Sequence, residues 1–448
     1  MRLACGDMLF SRTQEANQMH TVLAGRASVS LSRIRRDHPE ILAAAKPILV
    51  AAPGTLAALT EPGVLADVAI LDACAHIPAI ELLSIIGRVQ QVVVIAHCAT
   101  VTSESVKQLI DTLPHIEVDA APSRRAPRLS AFLESEGYGP VRYDVATEPA
   151  AGEVRFHRVE ASGVPVMSSG LVESSQPEID EVVRLITQRA AGFAVVPSSY
   201  RLVVVMLTDA FRTRLGAELK SLAGKSKAMG RFLRHVRLVS LRDVAGGRAT
   251  DVILSMCYAK TTHGRLLQQF GPLESTGGRG LLLDALALAD HSLDIVSAFG
   301  SEDLDEERLH QSGPRFLKTM LTWAEQLDDR PVLPLRDAAG GNVLFDDIAD
   351  RLRARGLNAA VDYGFDKGVK IPLVVGLKDK PFALAVQTDD ANFMSVQSTR
   401  RRHRLSAQDL ISLGWNVMTV WSVAAFVNPD KEVDRIVSRI GEIYREVE

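Results

Sequence analysis

Apolar residues along this chain fall into short runs set between polar segments, and the runs alternate between two periods. From Ala66 to Thr100 the pattern is compact. Val68 to Leu71 is an apolar run ending on Asp72. Ile80, Leu83 and Ile86 follow at helical spacing, and Val92 to Ala96 is a second, Val-rich run. Buried strand, helix and buried strand in that order predict a parallel α/β layer. Upstream, Ser30 to His38 predicts a short basic helix ended by Pro39, and Pro47 to Ala52 a strand closed by a turn at Pro53-Gly54.

A second alternating stretch starts near Ser175, where Ser175-Gln176-Pro177-Glu178 fits a capping box. Ile179, Val182, Val183 and Ile186 then form one helical face. The pattern predicts a strand at Phe193 to Val196 and a long helix at Tyr200 to Leu215. Further strands are expected at Val236 to Ser240, Val252 to Met256 and Leu293 to Ser297. Such alternation implies a parallel sheet. Residues 101–175 are poorly patterned. Within them, Ser123-Arg124-Arg125-Ala126-Pro127-Arg128 reads as a solvated basic turn, and Ala146 to Gly152 as a linker.

Asp328 to Gly341 is Pro- and Gly-rich and reads as an interdomain linker. Beyond it the pattern predicts a helix at Leu344 to Arg355 and strands at Ala359 to Tyr363, Val369 to Val375 and Phe382 to Gln387. A basic helix, Arg400 to Leu413, is stopped by Gly414, and a strand runs from Asn416 to Trp421. The last helix repeats Val433, Ile436, Val437, Ile440, Ile443 and Tyr444 on one face. The expected division is 1–150, 151–330 and 338–448, all α/β, with the last part able to fold alone.

Composition narrows the function classes. The 448 residues are 47% hydrophobic with a net charge of −3, which argues for a folded chain and against disorder. Near-neutral charge gives no global drive toward nucleic acid, so any contact must come from a local patch. Cys5, Cys74, Cys98 and Cys257 form no C-x-x-C pair. Zinc and a disulfide framework are not expected, and a reducing cytoplasm is. No apolar run approaches 18 residues, and Asp7 interrupts any leader-like pattern at the start, so no membrane partner is expected.

Asp72 sits at the carboxyl end of a predicted parallel strand, where open α/β sheets bind ligands. The surrounding stretch resembles the core of superfamily 1 helicases, which carry Asp-Glu-Ala-Ser here, the Asp holding Mg²⁺ and the Glu orienting water. This chain reads Asp72-Ala73-Cys74-Ala75. Where that family has Gly-Asp-x-x-Gln, it reads Ala96-His97-Cys98-Ala99-Thr100. Gly246-Gly247-Arg248-Ala249-Thr250-Asp251-Val252-Ile253 resembles the family's Gln-Gly-Arg-Glu-Lys-Asp-Val-Ile. Gly277-Gly278 and the following twelve residues keep the frame of its arginine-bearing motif, with Leu288 and Asp290 at the arginine positions. No Walker A loop is present; Gly224-Lys225-Ser226 has only its tail and follows a helix. The resemblance implies RecA-like, P-loop NTPase-like parallel sheets with the nucleotide chemistry removed, Asp72 a remnant and no cofactor.

The last hundred residues resemble the restriction-endonuclease-like module, related to very-short-patch repair nucleases, that some bacterial helicases carry. That family reads Ile-Asp-Leu-Val-Val, Ile-Glu-x-Asp-Gly, an Arg-rich helix, Leu-Gly-Trp and x-Ile-Trp-Ser. This chain has Ile371-Pro372-Leu373-Val374-Val375, Val386-Gln387-Thr388-Asp389-Asp390, Arg400-Arg401-Arg402-His403-Arg404, Leu413-Gly414-Trp415 and Val420-Trp421-Ser422. The two metal-binding acids have become Pro372 and Gln387, and such nucleases need converging carboxylates to hold Mg²⁺. Asp389, alone or with Asp390, is a remnant and a poor metal site. Arg400, Arg401, Arg402 and Arg404 are candidates to grip phosphate, or else begin a solvated helix. The resemblances imply a catalytically inactive helicase/nuclease paralogue that binds nucleic acid or a protein partner in a DNA-processing or defence complex. An active enzyme using partner-supplied or unaligned residues is the competing class, and an adaptor without nucleic-acid contact the third.

Overall fold

The computed structural model describes residues 2–25, 31–60, 62–118, 120–139, 141–147, 153–165, 172–173, 176–244, 246–327, 335–336 and 342–445. They cluster into two compact units, Met1–His97 with Val101–His115, and Cys98–Thr100 with Ile116–Glu448. Among the described residues no helix is long and apolar enough to cross a membrane.

In the first unit Ala66–Leu71 pairs in parallel with Val89–Val94, joined by the helix Ala79–Ile86. Leu71 packs with Leu82, Ile85 and Val106, while the alternate residues Val68, Ile70 and Val93 are exposed. The parallel strand-helix-strand order is as expected, but the strands are largely exposed rather than buried, and the helix buries Leu82 and Ile85 while Ile80 and Leu83 of the expected face are exposed. The strand expected at Pro47 to Ala52 is absent: those residues pair with no strand, and Ile48 and Val50 are exposed. Pro53 does not turn the chain but opens the helix Pro53–Leu59, a position where its missing N–H costs nothing.

The second unit holds a five-stranded, all-parallel sheet in the order Val154–Arg158, Ala289–Ser297, Ala249–Ser255, Leu202–Met206, Val236–Ser240. Leu202–Met206, every residue buried, is a run of mostly β-branched residues, the form suited to a strand covered on both faces. It lies inside the stretch where a helix was expected. The helix starts later, at Asp209, because Thr208 caps it by accepting from the Phe211 N–H. Phe193 to Val196 is not a strand; the Phe193 ring packs on Tyr200 at 4.7 Å. The capping box expected at Ser175 lies outside the described residues, as does most of the linker at 328–341.

A buried ionic network crosses this sheet. Arg189 pairs with Asp251 and Asp294, and His157 Nε2 lies 2.7 Å from Asp294. Asp251 also accepts from Tyr200 Oη (2.8 Å) and Ser292 Oγ (2.6 Å) and lies 3.2 Å from His291 Nδ1. Burial alone would raise the Asp251 carboxyl, but these bonds and the Arg189 charge hold it at about 2.

The C-terminal sheet runs Leu335–Arg336, Leu357–Phe365, Ile371–Leu377, Leu384–Gln387, Asn416–Thr419, the last pair parallel and the others antiparallel. One face packs on the helices Val343–Ala354 and Pro429–Arg445 through Val361, Leu373, Val386, Ile436 and Ile440. The other face, with Val374, Ala385 and Trp415, is covered by Tyr143 and Val145. Trp415 Nε1 donates to the Val145 carbonyl at 2.6 Å, and Arg142 bridges Asp144 (2.8 Å) and Asp409 (3.1 Å). The segment that the sequence groups with the first domain thus straps the C-terminal sheet. The basic loop before it is not a solvated turn: Arg125 is half-buried and donates to the carbonyls of Ala287 and Ala289, and Arg128 to that of Leu327.

Candidate functional site

The strand register brings together Pro372 and Gln387, the two positions where the resemblance leads one to expect acids. Leu373 pairs with Val386, so one step further Pro372 and Gln387 stand opposite each other at the sheet end. On the other side of Pro372, between the pairs Val361–Leu373 and Tyr363–Ile371, lies Asp362. Its φ of 48° is left-handed, strained for a non-glycine residue, and it marks an irregularity opposite the proline that has no N–H to give the ladder. Gln387 pairs in turn with Thr419. Asp362, Pro372, Gln387 and Thr419 therefore form one row across four strands.

Asp362 is the residue that sequence reasoning missed. Burial raises its carboxyl, as do the neighbouring charges of Asp390 and Asp346, while Lys370 works against them. Only the strand register reveals its place, because no motif of the chain includes it. Among the described residues, no group of three or more His, Cys, Asp or Glu side chains is arranged to hold a metal ion.

Asp389 and Asp390 are both engaged with backbone. Asp389 accepts from the Ser422 N–H at 2.7 Å and from Ser422 Oγ at 2.9 Å, and the first of these bonds holds its carboxyl below the ordinary range. It ties the end of one central strand to the start of the helix Ser422–Val427. Asp390 caps Ala391–Ser395 through the Phe393 N–H at 2.7 Å.

The arginine run is not the regular helix expected. Arg401–Leu405 forms a π-helical turn, with Ser406 Oγ donating to the Arg401 carbonyl, and the α-helix proper is Ser406–Ser412. Such turns place side chains on a different azimuth from a plain helix. Arg401 reaches toward Asp409 at 3.9 Å, and the Arg402 guanidinium lies over the Phe393 ring at 5.6 Å. Arg400 and Arg404 are exposed.

Asp72, in the first unit, is exposed at its strand end and accepts from the Ala73 N–H at 2.9 Å. Leu288 is 4% exposed within the apolar core, and Asp290 accepts from Arg248 at 2.7 Å and Ser123 Oγ at 2.9 Å. Those two positions serve packing and a structural ion pair.

A family model described as REase_MTES_1575, a restriction-endonuclease-like domain, matches residues 345–440. That span runs from the helix Val343–Ala354 into the helix Pro429–Arg445 and includes Asp362, Pro372, Gln387, Asp389 and the arginine run. No curated protein matches the chain. The chain is thus a mixed α/β protein with a parallel five-stranded sheet and a C-terminal restriction-endonuclease-like domain.

Proposed function

We propose that this chain is a nucleic-acid-binding protein of nuclease-like build that performs no metal-dependent cleavage. One relationship carries the reading: continuing the register one step past the Leu373–Val386 pair sets Pro372 beside Gln387, where the resemblance implies two acids for Mg²⁺. Proline offers no ligand and glutamine a neutral one, so the charge needed to bind the ion and activate water is missing. The cations remain. Arg400 and Arg404 are exposed and can neutralise phosphates, while Arg402 adds a third positive group beside them.

On this reading the divisions 1–150 and 151–330 are degenerate RecA-like regions of helicase type that bind no ATP, and 338–448 is the nucleic-acid module. The chain works in the cytoplasm as a scaffold, alongside a protein partner, in DNA processing or defence. DNA affinity measured against salt tests it. Each phosphate contact contributes about −0.9 to the slope of log affinity on log salt for duplex DNA. Replacing Arg400, Arg401, Arg402 and Arg404 with alanine should flatten that slope by roughly two to four. An unchanged slope makes the four a solvated helix start and favours the adaptor class.

Asp362 favours a second reading, an enzyme whose carboxylate has moved to the neighbouring strand. It faces Pro372 from a strained backbone and carries a raised carboxyl. Cleavage in Mg²⁺ or Mn²⁺ that disappears in Asp362→Asn would establish this reading and overturn the first.

A further inference from the structure

Three aromatic rings meet beside the arginine turn. Phe393 lies 5.2 Å from His403 and 5.9 Å from Trp421, and His403 lies 6.1 Å from Trp421. The interplanar angles of 87° and 80° about Phe393 are edge-to-face. The cluster is assembled by the Asp389–Ser422 bonds, which bring the ends of two parallel strands together, and by the Asp390 cap, which starts the Phe393 helix.

Trp421 is 43% exposed, whereas Trp323 and Trp415 are each 3% exposed. Leaving an indole in water forgoes a large burial gain, and Val423 and Phe426 near it in sequence, and Met394 next to Phe393, are exposed as well. Cations accompany the patch. Arg402 sits over Phe393, its Nε without a hydrogen-bond partner among the described residues, and Arg400 and Arg404 flank it on the same turn. A patch of this kind suits a ligand with planar apolar faces and regularly spaced negative charge. Single-stranded nucleic acid has both, whereas a duplex hides its base faces and an acidic peptide lacks them.

We infer that Trp421, with His403 and Phe393, is a stacking platform for an unpaired nucleobase, and that Arg400, Arg402 and Arg404 hold the flanking phosphates. The inference rests on the nucleic-acid-binding reading and adds its substrate class: single strands, or duplexes with an unpaired base. Recognition by stacking tolerates any base.

Intrinsic tryptophan emission of the full chain tests it, because the other two indoles are buried and the response reports Trp421. An oligo(dT) strand should quench the emission saturably, and a strand of the same length with abasic sites should bind more weakly and quench little. Trp421→Ala should weaken oligo(dT) binding on the order of tenfold, within the range for one stacked base. Trp421→Phe should restore most of that loss, which a merely structural role would not predict. Equal affinity for the abasic strand and oligo(dT), measured on the unaltered protein, overturns the platform while leaving phosphate binding intact. Failure to bind any strand or duplex overturns both readings.

Discussion

Trp415 donates its indole N–H to the carbonyl of Val145 at 2.6 Å, a bond between residues 270 positions apart in the chain. Both groups are buried, and Tyr143 and Val145 close the same sheet face. Trp415→Phe keeps an aromatic ring, though a smaller one, and leaves that carbonyl without its donor. A buried unsatisfied polar group costs about 1–3 kcal/mol, so the variant should unfold at lower urea concentration by that amount. The fragment 338–448, without the strap, should expose Val374, Ala385 and Trp415 and be less soluble than the fragment 116–448. Equal solubility of the two fragments would make the strap dispensable.

Asp251 gives a pH-dependent signature. Its folded value of about 2 lies below the ordinary 3.8. The folded state therefore binds the proton less readily than the unfolded one. Its stabilising contribution is full above about pH 4 and is lost as the pH falls toward 2. The shift corresponds to about 2 kcal/mol. Asp251→Asn should lower stability at neutral pH by about that much and flatten the dependence between pH 4 and 2, read from urea midpoints. A variant whose acid dependence matches that of the unaltered protein would remove Asp251 as the source.

Much of this architecture follows from local pattern. The strands expected at Val236 to Ser240, Val252 to Met256 and Leu293 to Ser297 are present as Val236–Ser240, Ala249–Ser255 and Ala289–Ser297, the last two starting earlier because polar residues precede their apolar runs, and the amphipathic repeat of Pro429–Arg445 has one reading. Leu202–Met206 was hidden because its apolar run passes into a helix whose buried Phe211 and Leu215 continue helical spacing; the Thr208 cap is the only local divider. At the candidate site Pro372 and Gln387 stood out in the motif comparison. Their adjacency to Asp362 was not, since register depends on pairing between distant segments. Phe393 and Trp421 were equally hidden: they are 28 positions apart and meet through the Asp389–Ser422 bonds.

Restoring the acids is the sharpest test of the nuclease-like site. Residues directly opposite in an antiparallel pair place their Cβ atoms about 4.5–5.5 Å apart, close enough for two carboxylates to share one cation. Pro372→Asp with Gln387→Glu should therefore create a metal site, with Asp362 alongside as a third acid. Without metal, the like charges should destabilise the double variant. Mn²⁺ should reverse this, by about 2.7 kcal/mol at a hundredfold excess over its dissociation constant. The unaltered protein should show no such metal-dependent rise in a thermal melt. A rise in the unaltered protein that disappears in Asp362→Asn would instead place a working metal site on Asp362. If the double variant gains neither metal affinity nor cleavage, the row of Asp362, Pro372 and Gln387 lacks the convergence that metal-dependent hydrolysis requires.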